Sequence, residues 1–191
     1  MPAEIKLKQQ YVDIKKPEAL ESLSSTLLMQ VRKAITEGYK TIVFVCIGTD
    51  RSTGDSLGPL VGYKLANLRY KNIYLHGCLE SPVHAKNLNE TIQLIERKYE
   101  NPFVVAIDAC LGEAEHVGFI SIGEGSIKPG SGVKKDLEPI GNMFITGIVN
   151  FGGFMDFIVL QNTRLSVVMG MADIISEGIR NVINKITPDL D

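Results

Sequence analysis

The sequence predicts one three-layer α/β/α sandwich with a mostly parallel β-sheet, and three observations carry this prediction. Continuous apolar segments that suit buried strands alternate with longer segments in which apolar residues recur at helical spacing. The steps between the first three apolar segments are long enough for right-handed parallel crossovers. A chain of 191 residues with 45% hydrophobic content has the size and composition of a single domain, residues 1–191, with its own core.

The first half of the chain predicts an N-terminal helix followed by three strands joined by helices. Residues 17–38 carry leucine and valine at helical spacing and end at a glycine, which is typical of a helix. The next strands and helices are predicted in alternation at residues 42–47, 57–68, 73–78, 88–99 and 103–107. Ile42 to Ile47 is apolar throughout, as expected for a central strand that helices cover on both faces.

The pattern changes after residue 107. Only nine residues, Ala109 to Val117, separate Asp108 at the end of the third strand from the apolar segment at 118–122. This is too short for a helical crossover, so one antiparallel strand is predicted there. The later predictions are a surface loop at 123–132, a short helix at 154–160, a last strand at 165–169 and a closing helix at 174–186. Residues 1–16 are expected to form an N-terminal extension, and residues 17–188 the α/β/α core.

Composition and charge argue against several classes of function. A net charge of −2 gives no basic surface for nucleic acid. The longest apolar run has six residues, whereas a membrane span needs ~20, and residues 1–16 contain no apolar signal segment. Three cysteines without a secretion signal indicate reduced thiols. We therefore expect a cytoplasmic protein with no nucleic-acid or membrane partner; the sequence leaves homo-oligomerisation open.

Two aspartates follow the first and third apolar strands of the first half. Asp55 lies where the polar segment after Ile47 enters a helix, and Asp108 ends the strand at 103–107. Ligands of open parallel sheets bind outside the carboxyl ends of the strands, so both carboxylates are expected at one edge. Each alone is more often a cap than a catalytic group. Two carboxylates forced together should share a proton near neutral pH, so that one acts as base and the other as acid.

The same region was compared with nucleotide-binding motifs and with serine-hydrolase motifs. The glycine spacing fits neither a dinucleotide-binding motif nor a P-loop. Gly54 to Gly58 contains the G-x-S-x-G pattern around Ser56 and the Gly-Asp-Ser-Leu of GDSL-type esterases. A serine mechanism needs a histidine base, and no histidine follows His116. A hydrolase that uses Ser56, or one of the strand-end cysteines Cys78 and Cys110, is therefore retained only as an alternative.

Two segments around the aspartates resemble known peptidases. Gly48 to Pro59 resembles the Gly-Asn-x-x-x-Thr-Pro-Asp-Ala-Leu-Gly-Pro segment of the spore germination protease, and Ile107-Asp108-Ala109 resembles that enzyme's Ile-Asp-Ala strand end. Both segments are also similar to those of hydrogenase-maturation endopeptidases. From about residue 40 onward the chain most resembles the YyaC-type sporulation proteins, commonly labelled spore proteases. The resemblance implies a phosphorylase/hydrolase-like, peptidase-like core.

The resemblance also implies an activity. In the germination protease the matching acids are the proposed catalytic pair of an atypical aspartic endopeptidase, so Asp55 and Asp108 are expected to be catalytic. The hydrogenase peptidases add a histidine that helps to bind the metal of their substrate enzyme, and Asn150 stands at the matching place here. This favours a metal-free type with no cofactor, although a divalent metal between Asp55 and Asp108 is left open.

The expected partner is a protein or peptide substrate, cleaved during spore formation or germination in the sporulating cell or spore interior. Backbone N–H groups between Gly48 and Gly54 could stabilise an oxyanion. The residues expected to contact the substrate are Gly48, Thr49, Gly54, Ser81, His84 and Asn150. His84 could equally be an exposed residue at the start of a helix. A second reading from another class is a non-catalytic sporulation factor that holds a peptide in the same cleft.

Overall fold

The computed structural model describes residues 9–129 and 137–187. Within these ranges, strands and helices alternate along most of the chain. In chain order they are β1 (Gln10–Asp13), α1 (Ala19–Thr36), β2 (Thr41–Cys46), α2 (Leu57–Leu65), β3 (Ile73–His76), α3 (Leu88–Lys98), β4 (Pro102–Gly112), β5 (Phe119–Glu124), β6 (Met143–Phe151), α4 (Asp156–Gln161) and α5 (Leu165–Ile186). Short 3-10 turns lie at Gly54–Ser56 and Ala114–His116.

The strands form one sheet in the order β1-β5-β6-β4-β2-β3. The strands β2, β3, β4 and β6 run parallel to one another, and β5 runs antiparallel to both of its neighbours, β1 and β6. In the register between β2 and β4, Cys46 lies opposite Ile107. The predicted mostly parallel sheet with one antiparallel strand is therefore confirmed.

Helices cover both faces of the sheet. Alternate residues of a strand point to opposite faces, and β2 is buried along its whole length. Phe44 packs in a large core with α1, α2 and α5, whereas Val43 and Val45 pack on the other face against Leu88 and Ile95 of α3. The continuous apolar run of this strand thus reflects burial on both sides, and the three-layer architecture agrees with the prediction.

One predicted strand is wrong. Residues 165–169 form the first turns of α5, which runs unbroken from Leu165 to Ile186. Short apolar runs with β-branched residues do not distinguish a strand from a buried helix. The helical repeat is visible only over a longer window, because Val168, Met171, Ala172 and Ile175 form one buried stripe that continues to the end of the helix.

Three further segments differ from the prediction. Met143–Phe151, to which no element was assigned, forms β6. Gln10–Asp13, which lies inside the expected N-terminal extension, pairs with β5 as an edge strand. Gly123 and Glu124, assigned to a surface loop, end β5. Residues 130–132 of that predicted loop, residues 1–8 of the extension and residue 188 of the expected core lie outside the described residues.

Candidate active site

The site lies between β2 and β4, where the direction of the chain's winding reverses. From β2 the chain crosses one face through α2 to reach the sheet edge at β3, then returns over the other face through α3 to β4. The helices on opposite faces leave a crevice at the carboxyl ends of these two neighbouring strands. The sequence predicted this neighbour relation, and it brings Asp55 and Asp108 to the same edge.

Gly48 fixes the path of the chain after β2. The Ile47 N–H donates to the Ile107 carbonyl at 2.7 Å, and the Gly48 N–H then donates to the Val83 carbonyl at 2.7 Å. Gly48 has a φ of +145°, and a Cβ atom there would clash with the carbonyl oxygen of Asp55. The Thr49 N–H donates to that same carbonyl at 3.0 Å. The loop is therefore folded against the backbone of Asp55, which fixes that residue at the edge.

Asp108 lies within β4 and does not end it, which corrects the predicted strand boundary. Strand β4 continues to Gly112 because β6 pairs with it beyond this point, with Asp108 opposite Thr146. On the other side, β2 stops pairing at Cys46 and Ile107, one residue earlier. The departure of β2 opens a space beside Asp108. One carboxylate oxygen of Asp108, Oδ1, accepts a hydrogen bond from the Ala109 N–H at 2.8 Å.

Asp55 and Asp108 both line one cleft, whose volume is about 150 Å³. Three of the expected substrate-contacting residues, Gly48, Thr49 and His84, line it too. Cys110 and Leu160 complete the wall near the acids. The structure thus brings together five of the eight residues that the sequence singled out.

The other three expected contact residues do not line the cleft. Gly54 is buried, and a Cβ atom there would lie 2.7 Å from Cδ2 of Leu160. Ser81 is exposed, and its carbonyl accepts the Cys78 N–H at 3.1 Å. Asn150 is engaged with its own surroundings: its Nδ2 donates to the Thr163 hydroxyl at 3.2 Å. These residues were linked to the site by nearness in sequence or by resemblance, and neither fixes the direction of a side chain.

The Asp55 carboxyl differs in its surroundings from an ordinary surface carboxyl. Burial raises the pKa of the Asp55 carboxyl, and the nearby Ser52 hydroxyl opposes this shift. Ser52 Oγ is buried and forms no hydrogen bond with the described residues, so its contact with the Asp55 carboxyl does not have the geometry of a formed bond. The free energy of burial therefore favours the protonated form of Asp55, which is the form that a general acid needs.

The geometry does not support Ser56 as a nucleophile. Of the two cysteines in the alternative, Cys78 does not line the cleft, and Cys110 lines it with a thiol whose burial disfavours the thiolate. The Ser56 hydroxyl is buried and donates to the Thr53 carbonyl at 2.7 Å, so it is not placed to attack a substrate. Burial raises the pKa of the Cys110 thiol, the Thr146 hydroxyl lowers it, and the charge of Asp108 raises it further. A thiol with a raised pKa is a poor nucleophile. Cys46 is fully buried, and burial raises the pKa of its thiol as well.

His84 is a cleft residue whose ring can donate a hydrogen bond to a substrate oxygen. Its Nδ1 accepts the Lys86 N–H at 3.3 Å, so the neutral ring carries its proton on Nε2. Its carbonyl accepts the N–H groups of Asn87 and Leu88 at the start of α3, which holds the residue in place. The Gly48 and Thr49 N–H groups, in contrast, are bonded within the protein, which corrects their expected part in an oxyanion site.

A metal between Asp55 and Asp108 would receive two oxygen ligands from the pair, which suits a hard divalent cation. Within residues 9–129 and 137–187, one group of three side chains has its potential metal-ligand atoms within 4.8 Å of one another. The group consists of Glu113, Glu115 and His116. That group, in which the two glutamates are exposed and His116 is half-buried, follows β4 and does not line the cleft. The metal at the acid pair stays a prediction.

No helix within the described ranges has the length and apolar character that a bilayer crossing requires.

Comparison with known proteins gives the relationships of the chain. A curated relative, the "Uncharacterized protein YyaC" of Bacillus subtilis (strain 168), is 50% identical over 171 residues, which cover 90% of this chain and 82% of that protein. Among solved structures, the [NiFe] hydrogenase maturation protease HycI from Thermococcus kodakarensis KOD1 superposes with a TM-score of 0.51. It is 18% identical, and the match covers 81% of this chain and 99% of that one, which shows a shared fold. Residues 11–178 match the family described as "Protein of unknown function (DUF1256)". The chain belongs to the DUF1256 family.

Proposed function

We propose that this chain is an endopeptidase that hydrolyses a protein substrate with Asp55 and Asp108. The supporting observation is that both carboxylates line one cleft at the point where β2 leaves the sheet. A protease-like fold, shared with the maturation protease HycI, is in agreement with this activity. Fold alone does not establish function, so the proposal depends on the acid pair.

The surroundings of the two acids suggest how they divide the work. Asp108 takes a proton from a water molecule, whose oxygen attacks the carbonyl carbon of the peptide bond. Asp55, whose pKa is raised by burial, gives its proton to the leaving nitrogen as the C–N bond breaks. The Nε2–H of His84 stabilises the oxyanion formed in between. The Asp108 proton then passes to solvent, and Asp55 takes up a new one.

The proposed setting is spore formation or germination in the sporulating cell or spore interior. This part rests on the resemblance of Gly48 to Pro59 and of Ile107-Asp108-Ala109 to the germination protease. The substrate is therefore proposed to be a protein that is present in the sporulating cell.

A search for new protein termini tests the proposed activity. Purified wild-type protein, Asp55→Asn, Asp108→Asn and the control Asp50→Asn are incubated with protein extract from sporulating Bacillus subtilis, and new N-termini are identified by mass spectrometry. Asp50 is an exposed acid of the same loop that does not line the cleft. We expect new termini with the wild type and Asp50→Asn, and none with the two cleft variants.

Two results would contradict the endopeptidase proposal. Cleavage that persists in Asp108→Asn would exclude the two-aspartate mechanism. Stable complexes with extract proteins, formed without any new termini, would instead support the alternative of a non-catalytic factor that holds a peptide in the cleft.

A further inference from the structure

An apolar patch is exposed beside the cleft. We use this name for the side chains of Phe151, Phe154, Met155, Phe157, Ile158 and Leu165. The side chain of Phe154 is 96% exposed. The other exposed large hydrophobic residues within the described ranges are scattered singly over several elements, as is normal for a protein surface. A concentration of this kind is typical of a site that binds another polypeptide.

The apolar patch is held on an ordered support. Asn150, at the end of β6, donates from Nδ2 to the Thr163 hydroxyl and to the Val159 carbonyl at 3.4 Å. The Thr163 hydroxyl in turn donates to the Val159 carbonyl at 2.9 Å. These bonds tie β6, α4 and the chain before α5 together. The exposed side chains therefore project from a fixed scaffold.

The patch is continuous with the cleft through Leu160. This residue lies three positions after Phe157 in α4, so the two side chains are neighbours on the helix. Leu160 is buried and forms part of the cleft wall. It also packs on Gly54, the residue before Asp55. A polypeptide that contacts Phe157 therefore lies next to a side chain that lines the same cleft as the two acids.

The patch carries little charge, so a partner that binds to it is expected to be apolar. The sequence from Phe151 to Leu165 contains one acid, Asp156, and one base, Arg164. The Asp156 carboxylate accepts the Gly153 N–H at 2.9 Å, so it caps the turn that leads into α4. Phenylalanine, methionine and isoleucine side chains stabilise a complex when they cover apolar surface of a partner and remove it from water.

We propose that the apolar patch binds an apolar segment of the protein substrate and thereby places the neighbouring peptide bond in the cleft. The proposal rests on the proposed endopeptidase function and assigns its substrate class: an extended segment rich in leucine, isoleucine, phenylalanine or methionine. A second copy of the chain fits less well, since standard stable interfaces take roughly 20–30 residues a side and this patch comprises six side chains on one short segment.

Peptide binding tests the patch without requiring catalysis. The probe is a fluorescein-labelled twelve-residue peptide with leucine and phenylalanine at alternate positions, and a matched peptide has serine at those positions. Binding is measured by fluorescence anisotropy in the Asp108→Asn background. We expect the apolar peptide to bind, the serine peptide not to bind, and the added pair Phe154→Ser and Phe157→Ser to raise Kd at least tenfold. Leu94→Ser, an exposed leucine of α3, is the matched control and should leave Kd unchanged.

Several outcomes would overturn the docking proposal. Equal affinity with and without the two phenylalanine substitutions, at unchanged circular dichroism and melting temperature, would exclude the patch as the binding surface. A wild-type dimer that dissociates in the doubly substituted protein, measured by sedimentation, would assign the patch to contacts between copies. Loss of peptide hydrolysis in Asp108→Asn with retained peptide binding separates the two proposals, because only the endopeptidase proposal requires that acid.

Discussion

At the scale of single residues, Gly48 determines the position of Asp55. Gly48→Ala introduces a Cβ atom against the Asp55 carbonyl at a φ of +145°. We expect a loss of at least about 2 kcal/mol in the free energy of unfolding, from backbone strain plus the clash, and displacement of Asp55. Urea unfolding measures the loss.

Alanine substitutions at two other glycines distinguish the effect of backbone strain on the free energy of unfolding from the effect of a steric clash. Gly38 has a φ of +95° with open space around its Cβ position, so Gly38→Ala should cost about 1 kcal/mol from strain alone. Gly153 has open space and no positive φ, so Gly153→Ala should be neutral within about 0.5 kcal/mol. A Gly48→Ala protein as stable as the Gly153→Ala protein would contradict the fixed loop.

The Asp55 carboxyl makes stability depend on pH. Burial raises its pKa above the ordinary value of 3.8, so the native state keeps a proton that the unfolded chain has already released. The stability cost is absent below the unfolded pKa and grows as pH rises through the folded pKa. Asp55→Asn removes this cost. The stability of the variant relative to the wild type should rise as the pH increases above 3.8, measured by urea unfolding. A gain that shrinks with rising pH would contradict the buried carboxyl.

The candidate site shows which residues could be found from sequence. Asp55 and Asp108 were identified because each follows an apolar strand, and their meeting depends only on which strands are neighbours. Leu160 was missed as a cleft residue, since nothing in its helical pattern shows that it packs on Gly54. Ser52 was missed for the same reason: a buried hydroxyl beside a carboxyl has no local signature.

At the scale of elements, the sequence pattern did not predict β6 because this strand is not a continuous apolar run. Gly147 interrupts it, and a Cβ atom there would lie 2.7 Å from the Met171 sulfur of α5 and would also clash with Leu57 of α2. The glycine therefore lets two helices approach the sheet closely. In a sequence pattern, such a glycine indicates a break in a strand. Here tertiary packing requires the glycine.

Asn150 has a predicted role at the element scale. Its side chain joins β6 to α4 and to Thr163, and its Oδ1 accepts the Phe151 N–H at 2.9 Å. Asn150→Ala should lower the free energy of unfolding by about 1–3 kcal/mol and speed amide hydrogen exchange in α4. Gln161→Ala, an exposed position of the same helix, is the control and should change neither. Unchanged exchange in Asn150→Ala would contradict the anchoring role.

At the scale of the whole molecule, three of the four parallel strands were predictable from the sequence, whereas β6 and the edge strand β1 were not. The strand–helix alternation determines β2, β3 and β4, because right-handed crossovers leave few arrangements. The edge strand β1 comes from a polar segment, Gln10 to Asp13, in which Val12 alone is buried. Its place depends on side-chain bonds to distant residues: Gln10 Nε2 donates to the Ser22 hydroxyl at 2.7 Å, and Gln10 Oε1 accepts from Thr26 at 2.6 Å.

Truncation of the N-terminus tests this arrangement. A variant that begins at residue 9 retains the whole of β1, including the bond from Gln9 Nε2 to the Ser121 hydroxyl at 2.7 Å, and serves as the reference. A variant that begins at residue 17 loses the burial of Val12 and leaves β5 as an open edge, so we expect Tm to fall by roughly 5–10 °C. An unpaired edge also invites association between chains, so this shorter variant should elute earlier in size-exclusion chromatography. Equal melting temperatures for both variants would mean that the sheet is complete without β1.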